Sequence, residues 1–430
     1  MSLSVKRAGT PTSARNRVLL LAFLVTGITY LDRVCVAAAA PAIMRDLRLS
    51  NMRMAYVFSV FALAYGLFEI PAGWLGDRIG QRKMLTRIVV CWSTFTALTG
   101  MAWNYSVLMA TRFVFGAAEA GAFPILSRSL ARWFPPLDRG RVNGILWMGA
   151  RLGGALAPPL ANFLIGWCGW RLSFVVFGAV GFVWSMVFWL WYRDDPARHP
   201  SVNAAELAYI RQGSPVDIED DQRKQSTPWK RMFLSGNLWA LFWMYFATSY
   251  GFWFFLTWLP TFLIRDHGLT AERAGFYSAL PLAAGAVACV TGGTLSDWLA
   301  RRSGSLRWGR RVVGFGGFFL AGMGFGAAAL AHGPVASVVL LSFGAGAMDL
   351  AVPVAWATCL EVGGSFGGTA AGFMNSASSI SALLSPVAAA WFFERFGSFK
   401  GMFVSAMVVY MLAALLWLKI DPTDPVIAEK

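Results

Sequence analysis

The chain has 430 residues, 57% of them hydrophobic and only 14% charged, and carries a formal net charge of +15. Such a composition excludes a soluble globule, because apolar runs of about 18 residues or more recur along it. The positive charge does not indicate nucleic-acid binding, since the lysines and arginines fall in short segments on alternate sides of the apolar runs.

Residues 1–17 are basic and polar, and a full-length apolar span follows with no small-residue cleavage site, so the first segment is expected to be retained and not removed as a signal peptide. Six spans are predicted in the first half, at Val18–Met44, Met54–Leu75, Leu85–Ala102, Val107–Ala131, Val142–Ile165 and Leu172–Trp191. Each is near the ~20 residues that a bilayer requires. A polar stretch, Tyr192–Arg231, then interrupts the hydrophobicity. It holds Arg193-Asp194-Asp195-Pro196, a short helix expected from the cap Asn203 through Ile210, and the acidic patch Asp217–Asp221. Six more spans follow at Asn237–Ile264, Ala274–Leu299, Val312–Ala331, Val335–Leu360, Thr369–Phe393 and Met402–Leu418.

With the amino terminus inside, the inner segments hold about 26 lysines and arginines and the outer ones about eight. That asymmetry places both termini and the central linker in the cytoplasm. The fold class expected is an all-α integral membrane protein of twelve transmembrane helices in two six-helix bundles. Residues 1–192 form the first bundle, 193–232 the linker and 233–430 the second bundle. The halves echo one another: Gly73-Trp74-Leu75-Gly76-Asp77-Arg78 follows span two, and Gly293-Thr294-Leu295-Ser296-Asp297-Trp298 follows the equivalent span eight, each with arginines after it.

The five cysteines, Cys35, Cys91, Cys168, Cys289 and Cys359, lie mostly within apolar segments at no metal-like spacing and read as packing residues. His199, His267 and His332 fall in loops. With no buried histidine and no nucleophile–base pair, no catalytic or metal site is expected and no cofactor is implied.

The informative residues are charges at bilayer depth. Asp32 and Arg33 interrupt the first span, Arg112 and Glu119 the fourth, and Arg151 the fifth. A charge there costs roughly 3 kcal/mol or more, so such residues face a protein interior or a water-filled path. Guanidinium matches a carboxylate with two parallel donors and stays charged when buried, which makes Arg33 the first candidate for an anionic ligand. The competing reading is a salt bridge that only fixes helix packing. A buried carboxyl beside an arginine changes its protonation with its surroundings, so Asp32 and Glu119 are the candidates for moving protons. Arg112 and Glu119 are seven residues apart and share a helix face. A second arginine, Arg151, suits a dianion if it faces the cavity, and Asp349 on the tenth span is its expected alternative partner.

The Gly-x-x-x-Asp-Arg-x-Gly-x-Arg-Lys pattern of Gly73–Lys83 resembles the signature loop of the major facilitator superfamily, and Arg112-Phe113-Val114-Phe115-Gly116-Ala117-Ala118-Glu119 resembles its fourth-helix motif. Within it, Tyr30-Leu31-Asp32-Arg33, Tyr65 ahead of Ile70-Pro71-Ala72-Gly73-Trp74, Arg132-Trp133-Phe134-Pro135 and Phe255-Leu256-Thr257-Trp258-Leu259-Pro260 resemble the anion:cation symporter family, in particular bacterial sugar-acid/proton symporters of the galactonate and hexuronate type. The resemblance implies the major facilitator fold, a carboxylate on Arg33, and contacts to the ligand from Tyr30, Tyr65 and Asn375. It implies proton coupling at Asp32 and Glu119 with Arg112 beside them. It also implies a cytoplasmic gate of Asp77, Arg78, Arg82 and Lys83, echoed by Asp297 and Arg301, which Glu69 is expected to join. Trp356 is the candidate aromatic wall. The function expected is proton-coupled symport of a small organic anion, a sugar acid, by a monomer in the bacterial inner membrane. The alternatives are an exchanger of organic anions or phosphate esters without proton coupling, and a non-transporting membrane sensor. The phosphate-ester exchanger is disfavoured because that chemistry uses an arginine from each half and span seven has no interior charge, and the sensor because nothing structural requires four buried charges.

Overall fold

The structure is a computed structural model that describes residues 10–213 and 226–426. The acidic patch Asp217–Asp221 lies outside the described residues. The helices are α1 (Ala14–Asp46), α2 (Asn51–Ile79), α3 (Gln81–Gly100), α4 (Tyr105–Glu119), α5 (Ala122–Trp133), α6 (Arg139–Trp191), α7 (Ala204–Ile210), α8 (Trp229–Leu234), α9 (Gly236–Thr257), α10 (Leu259–Arg265), α11 (Ala271–Ser303), α12 (Leu306–Leu330), α13 (Pro334–Gly363), α14 (Gly367–Phe396) and α15 (Lys400–Trp417).

These make twelve membrane crossings in two bundles of six. Two crossings are composite where one helix each was expected. The fourth breaks after Glu119 into α4 and α5, and the seventh breaks at Trp258, just ahead of Pro260, into α9 and α10. Conversely, α6 supplies two crossings. It turns back at Gly169, whose φ of 76° suits a residue without a Cβ. Both arms return to α1: Thr26 Oγ1 donates to the Leu146 carbonyl at 3.1 Å, and Trp184 Nε1 to the Leu21 carbonyl at 3.0 Å.

Exposed apolar side chains such as Leu156, Phe163, Val183, Val287 and Leu330 form the belt that faces lipid. Trp103, Trp167, Trp298, Trp308 and Trp391 stand exposed toward helix ends, where indole suits the membrane–water interface. Hydrophobicity does not drive helices together inside lipid, so close packing must. A Cβ on Gly153 would come within 2.7 Å of Gly27 Cα, which shows how closely α6 lies on α1.

Both described termini and the linker lie on one face, called here the terminal face. Glu206 of α7 accepts from the Arg15 amide at 3.1 Å at the start of α1, and Arg15 stacks over Tyr209 at 4.3 Å. Asn203 caps α7 as expected, accepting from the Glu206 amide at 2.9 Å. At the other end, the Asp421 amide donates to Asn237 at 2.9 Å. His199 corrects the expectation that no histidine is buried. It is covered by Trp133 and Trp191, with Nε2 against the Trp191 carbonyl at 3.0 Å and Nδ1 accepting from the Ser201 amide at 3.1 Å.

Candidate functional site

Asp32 and Arg33 lie in the middle of α1, and Glu119 is the last residue of α4, where the helix breaks and leaves its carboxyl facing inward. Arg33 Nε donates to Glu119 Oε1 at 2.9 Å. Its guanidinium carbon lies 4.6 Å from the Tyr65 ring, 5.4 Å from Tyr30, 5.6 Å from Phe61 and 5.8 Å from Phe123. Ring faces attract a cation most where water is excluded, so this cage holds Arg33 in place while leaving hydrogen-bonding capacity unspent. Arg33 Nη2 and Glu119 Oε2 are both buried without a hydrogen-bond partner. Beside them, both carboxyl oxygens of Asp32, and Nε and Nη1 of Arg112, are buried and likewise unmatched, with the Arg112 guanidinium 4.2 Å from the Phe115 ring. Four ionisable groups therefore share one region, and a single charge-assisted hydrogen bond is formed among them.

Arg151 reaches across to the second half. Its Nε and Nη2 donate to the two oxygens of Asp349 at 2.9 and 2.6 Å, both side chains buried, and its guanidinium lies 4.3 Å from the Phe252 ring. The tenth-span partner anticipated for Arg151 is thus the one it holds here. Tyr30 lies between the two arginines: its ring faces Arg33 on one side and, on the other, lies 3.3 Å from where a Cβ would stand on Gly154, within one turn of Arg151.

Below Tyr30, toward the terminal face, aromatic rings close the space. Phe123 stacks on Trp147 at 4.8 Å, Trp147 meets Trp356 at 5.5 Å, and Trp356 Nε1 donates to Tyr245 Oη at 3.1 Å. Trp356 thus meets Phe123 and Trp147 of the first half and Tyr245 of its own, three aromatic residues that composition alone did not single out. Asn375 bridges the halves beside these rings, with Nδ2 donating to Glu69 Oε1 and lying 3.4 Å from Tyr65 Oη.

Nearer the terminal face, the two signature aspartates do equivalent things. Asp77 accepts from the amides of Gly368 and Thr369 at 3.0 and 2.7 Å, at the start of α14. Asp297 accepts from the amides of Gly140 and Arg141 at 3.1 and 2.7 Å, at the start of α6. Each thus caps a helix of the opposite half, and neither helix has a side-chain cap of its own. Arg310 binds Asp297 at 2.7 Å and Glu361 at 2.9 Å. Arg128 lies 3.7 Å from Asp77 and donates to the Ser365 carbonyl at 2.8 Å. Arg301 pairs with Asp138, to which Tyr209 of the linker helix also donates.

The other expected gate residues make no such crossing here. Arg78 stacks on Trp74 at 4.5 Å, and Arg82 donates to the Trp189 carbonyl at 3.0 Å, both within the first half. Lys83 is exposed. Glu69 does not join this network; it sits deeper, on Asn375. Arg128 and Arg310 make cross-half contacts instead, Arg128 to the Ser365 carbonyl and Arg310, through Nη2, to the Pro136 carbonyl at 3.1 Å. In the sequence, Arg128 and Arg310 are two among the many inner-face arginines.

The Major Facilitator Superfamily model matches residues 22–386. The chain is 35% identical over 413 residues to the probable sulfoacetate transporter SauU of Cupriavidus necator, covering 95% of this chain and 94% of that one. It is 32% identical over 445 residues to the probable galactarate/D-glucarate transporter GudP of Bacillus subtilis, covering 99% and 96%. Among solved structures, the proton:xylose symporter XylE superposes with a TM-score of 0.76 at 13% identity, over 95% of this chain and 96% of that one.

Proposed function

The chain belongs to the Major Facilitator Superfamily, a family of membrane transporters and not of enzymes, and we propose that it is a proton-coupled symporter of a small organic acid. The observation that carries this reading is the Arg33–Glu119 pair, 2.9 Å long, with Glu119 fully buried and Arg33 half-buried. An incoming carboxylate and Glu119 compete for one guanidinium. A proton on Glu119 removes its claim and lets the ligand take Arg33, so proton and anion bind together. Asp32 takes a second proton beside Arg112, and the two protons offset the negative charge that the ligand brings in.

The substrate is a dianion, with one acidic group on Arg33 and the other on Arg151 once Asp349 lets go. Tyr30, which lies between the arginines, supports this, as do the two acidic groups of sulfoacetate, galactarate and glucarate, named for the relatives. Tyr65 and Asn375 would contact hydroxyl or carbonyl oxygens of a sugar acid, and Trp356 would form the floor.

Transport proceeds by alternating access. The halves, residues 1–192 and 233–430, rock about this midplane site. The terminal face is cytoplasmic, as its positive charge supports. Asp77, Asp297 and Arg301, with Arg128 and Arg310, hold that side shut, and Arg78, Arg82 and Lys83 anchor the loop from which Asp77 projects. The protein works as a monomer in the bacterial inner membrane.

Uptake into proteoliposomes with an inward proton gradient, over a panel of sugar diacids, sulfonated acids and monoacids, tests the reading. Gradient-driven accumulation of a dianion, abolished in Arg33→Ala and in Glu119→Gln, is expected. Exchange of anions with no response to the gradient would favour the uncoupled exchanger.

A further inference from the structure

Glu69 has no place in the scheme above. It is fully buried on α2, at the seam with α14. Its contacts there are neutral: Asn375 Nδ2 donates to Oε1, and Ser379 Oγ lies 3.5 Å from Oε2. The seam is tight, because a Cβ on Gly372 would come within 2.7 Å of the Glu69 carbonyl and one on Gly66 within 2.8 Å of the Ser379 Cβ. The titratable and charged groups that face Glu69 are Tyr65, one turn away on its own helix, and Arg33 of α1, which is already paired with Glu119. No arginine or lysine lies within ion-pair distance of Glu69 among the described residues.

An ionised carboxylate in that position would be a bare charge at bilayer depth, at a cost of roughly 3 kcal/mol or more. A glutamine would make the same hydrogen bonds to Asn375 and Ser379. What glutamate adds is the ability to bind and lose a proton.

Position along the helix gives the direction. Tyr65 and the Arg33 cage lie on one side of Glu69. On the other, toward the cytoplasmic end of α2, Gly73 packs on Gly368 and Asp77 caps α14. Both partners of Glu69 belong to the second half. When the halves part on the cytoplasmic side, Asn375 and Ser379 leave, and Glu69 faces cytoplasmic water, where an ordinary glutamate at neutral pH is ionised.

We propose that Glu69 is a third proton-binding site, distinct from Asp32 and Glu119, which takes up one proton from the cytoplasm each time the cytoplasmic side closes. It rests on the alternating-access reading given above. By linkage, the closed form binds one proton more than the open form at this residue. The proton returns to the side it came from, so Glu69 does not add to the number carried per substrate. It makes closure dependent on cytoplasmic pH.

The test is the ratio of cytoplasm-closed to cytoplasm-open forms against pH, read from the distance between spin labels on the cytoplasmic ends of α2 and α14 in the full-length protein. In the wild type the ratio falls as pH rises. In Glu69→Gln the dependence is weaker by up to tenfold per pH unit, the weight of one proton, and the closed form dominates. Glu69→Asp restores the dependence. If Glu69→Gln does not fold, Glu69→Ser against Glu69→Asp gives the same comparison. An identical pH dependence in the wild type and Glu69→Gln overturns the assignment of Glu69 while leaving alternating access intact. A single distance at every pH in all variants overturns both.

Discussion

Asp77 and Asp297 stand at equivalent points of the two halves, and each caps a helix of the half to which it does not belong. The relation makes the terminal face a mutual clasp, in which neither half closes on a passive surface. Helix-cap contacts are worth about 0.5–2 kcal/mol each, and an anion at a helix start adds to this. Asp297 also holds Arg310, which is fully buried, so losing Asp297 leaves Glu361 as its remaining carboxylate partner among the described residues. Asp77→Asn is predicted to shift the population toward the cytoplasm-open form by about 1 kcal/mol, roughly fivefold, and Asp297→Asn by more. The distance between spin labels on the cytoplasmic ends of α2 and α14 reads this out; an unchanged distance in both variants would contradict it.

Removing one member of the Arg151–Asp349 pair strands the other. Arg151→Leu or Asp349→Leu alone should destabilise the protein by roughly 3–5 kcal/mol, while the double substitution should recover most of that loss. Chemical unfolding in detergent checks the stability. Because Arg151 is assigned to the second acidic group, the double variant should also lose its preference for diacids over monoacids, which competition binding would show.

The aromatic wall predicts a separable effect. Trp356→Phe keeps most of the volume but removes the hydrogen bond to Tyr245, and should cost about 1 kcal/mol of stability. Trp356→Ala opens the floor beside Phe123 and Trp147 and should cost about 3–5 kcal/mol. Leak of substrate through proteoliposomes without a gradient should rise only in the alanine variant.

The linker carries its own pH response. Burial against Trp133 and Trp191 holds the His199 imidazole below its ordinary range, and the nearby Arg193 and Arg17 act in the same direction, against the Trp191 carbonyl and Glu206. The neutral ring accepts from the Ser201 amide, and protonation at Nδ1 ends that bond. Linker docking is thus fully supported above about pH 6.5, the ordinary histidine value, and weakens as pH falls through the lower value of the folded state. Protease cleavage within 193–232 should accelerate on acidification in the wild type, and His199→Gln should flatten the profile.

The twelve crossings were legible because a bilayer sets one length and one composition for each. The breaks after Glu119 and at Trp258 were not, since hydropathy is blind to a turn that leaves apolar residues apolar. Asp32, Arg33, Arg112, Glu119 and Arg151 were legible as expensive charges in apolar runs. How they pair was not, because Arg33 is 86 residues from Glu119 and Arg151 is 198 from Asp349. The same gap explains Arg128 and Arg310: among several inner-face arginines, sequence does not mark the ones that meet the opposite half. Glu69 was expected at the inner-end network because of its distance from Asp77, and only the depth of the α2–α14 seam places it on Asn375.

In the proposed mechanism, a proton on Glu119 frees Arg33 for the anion. Its most direct test is the Kd of a sugar diacid for the purified protein across pH, by calorimetry, in the wild type and Glu119→Gln. Wild-type affinity should tighten as pH falls, by up to about tenfold per unit, the weight of one proton, and Glu119→Gln should bind tightly with a much flatter pH profile. Wild-type affinity that ignores pH, or a Glu119→Gln variant with the wild-type profile, would contradict it.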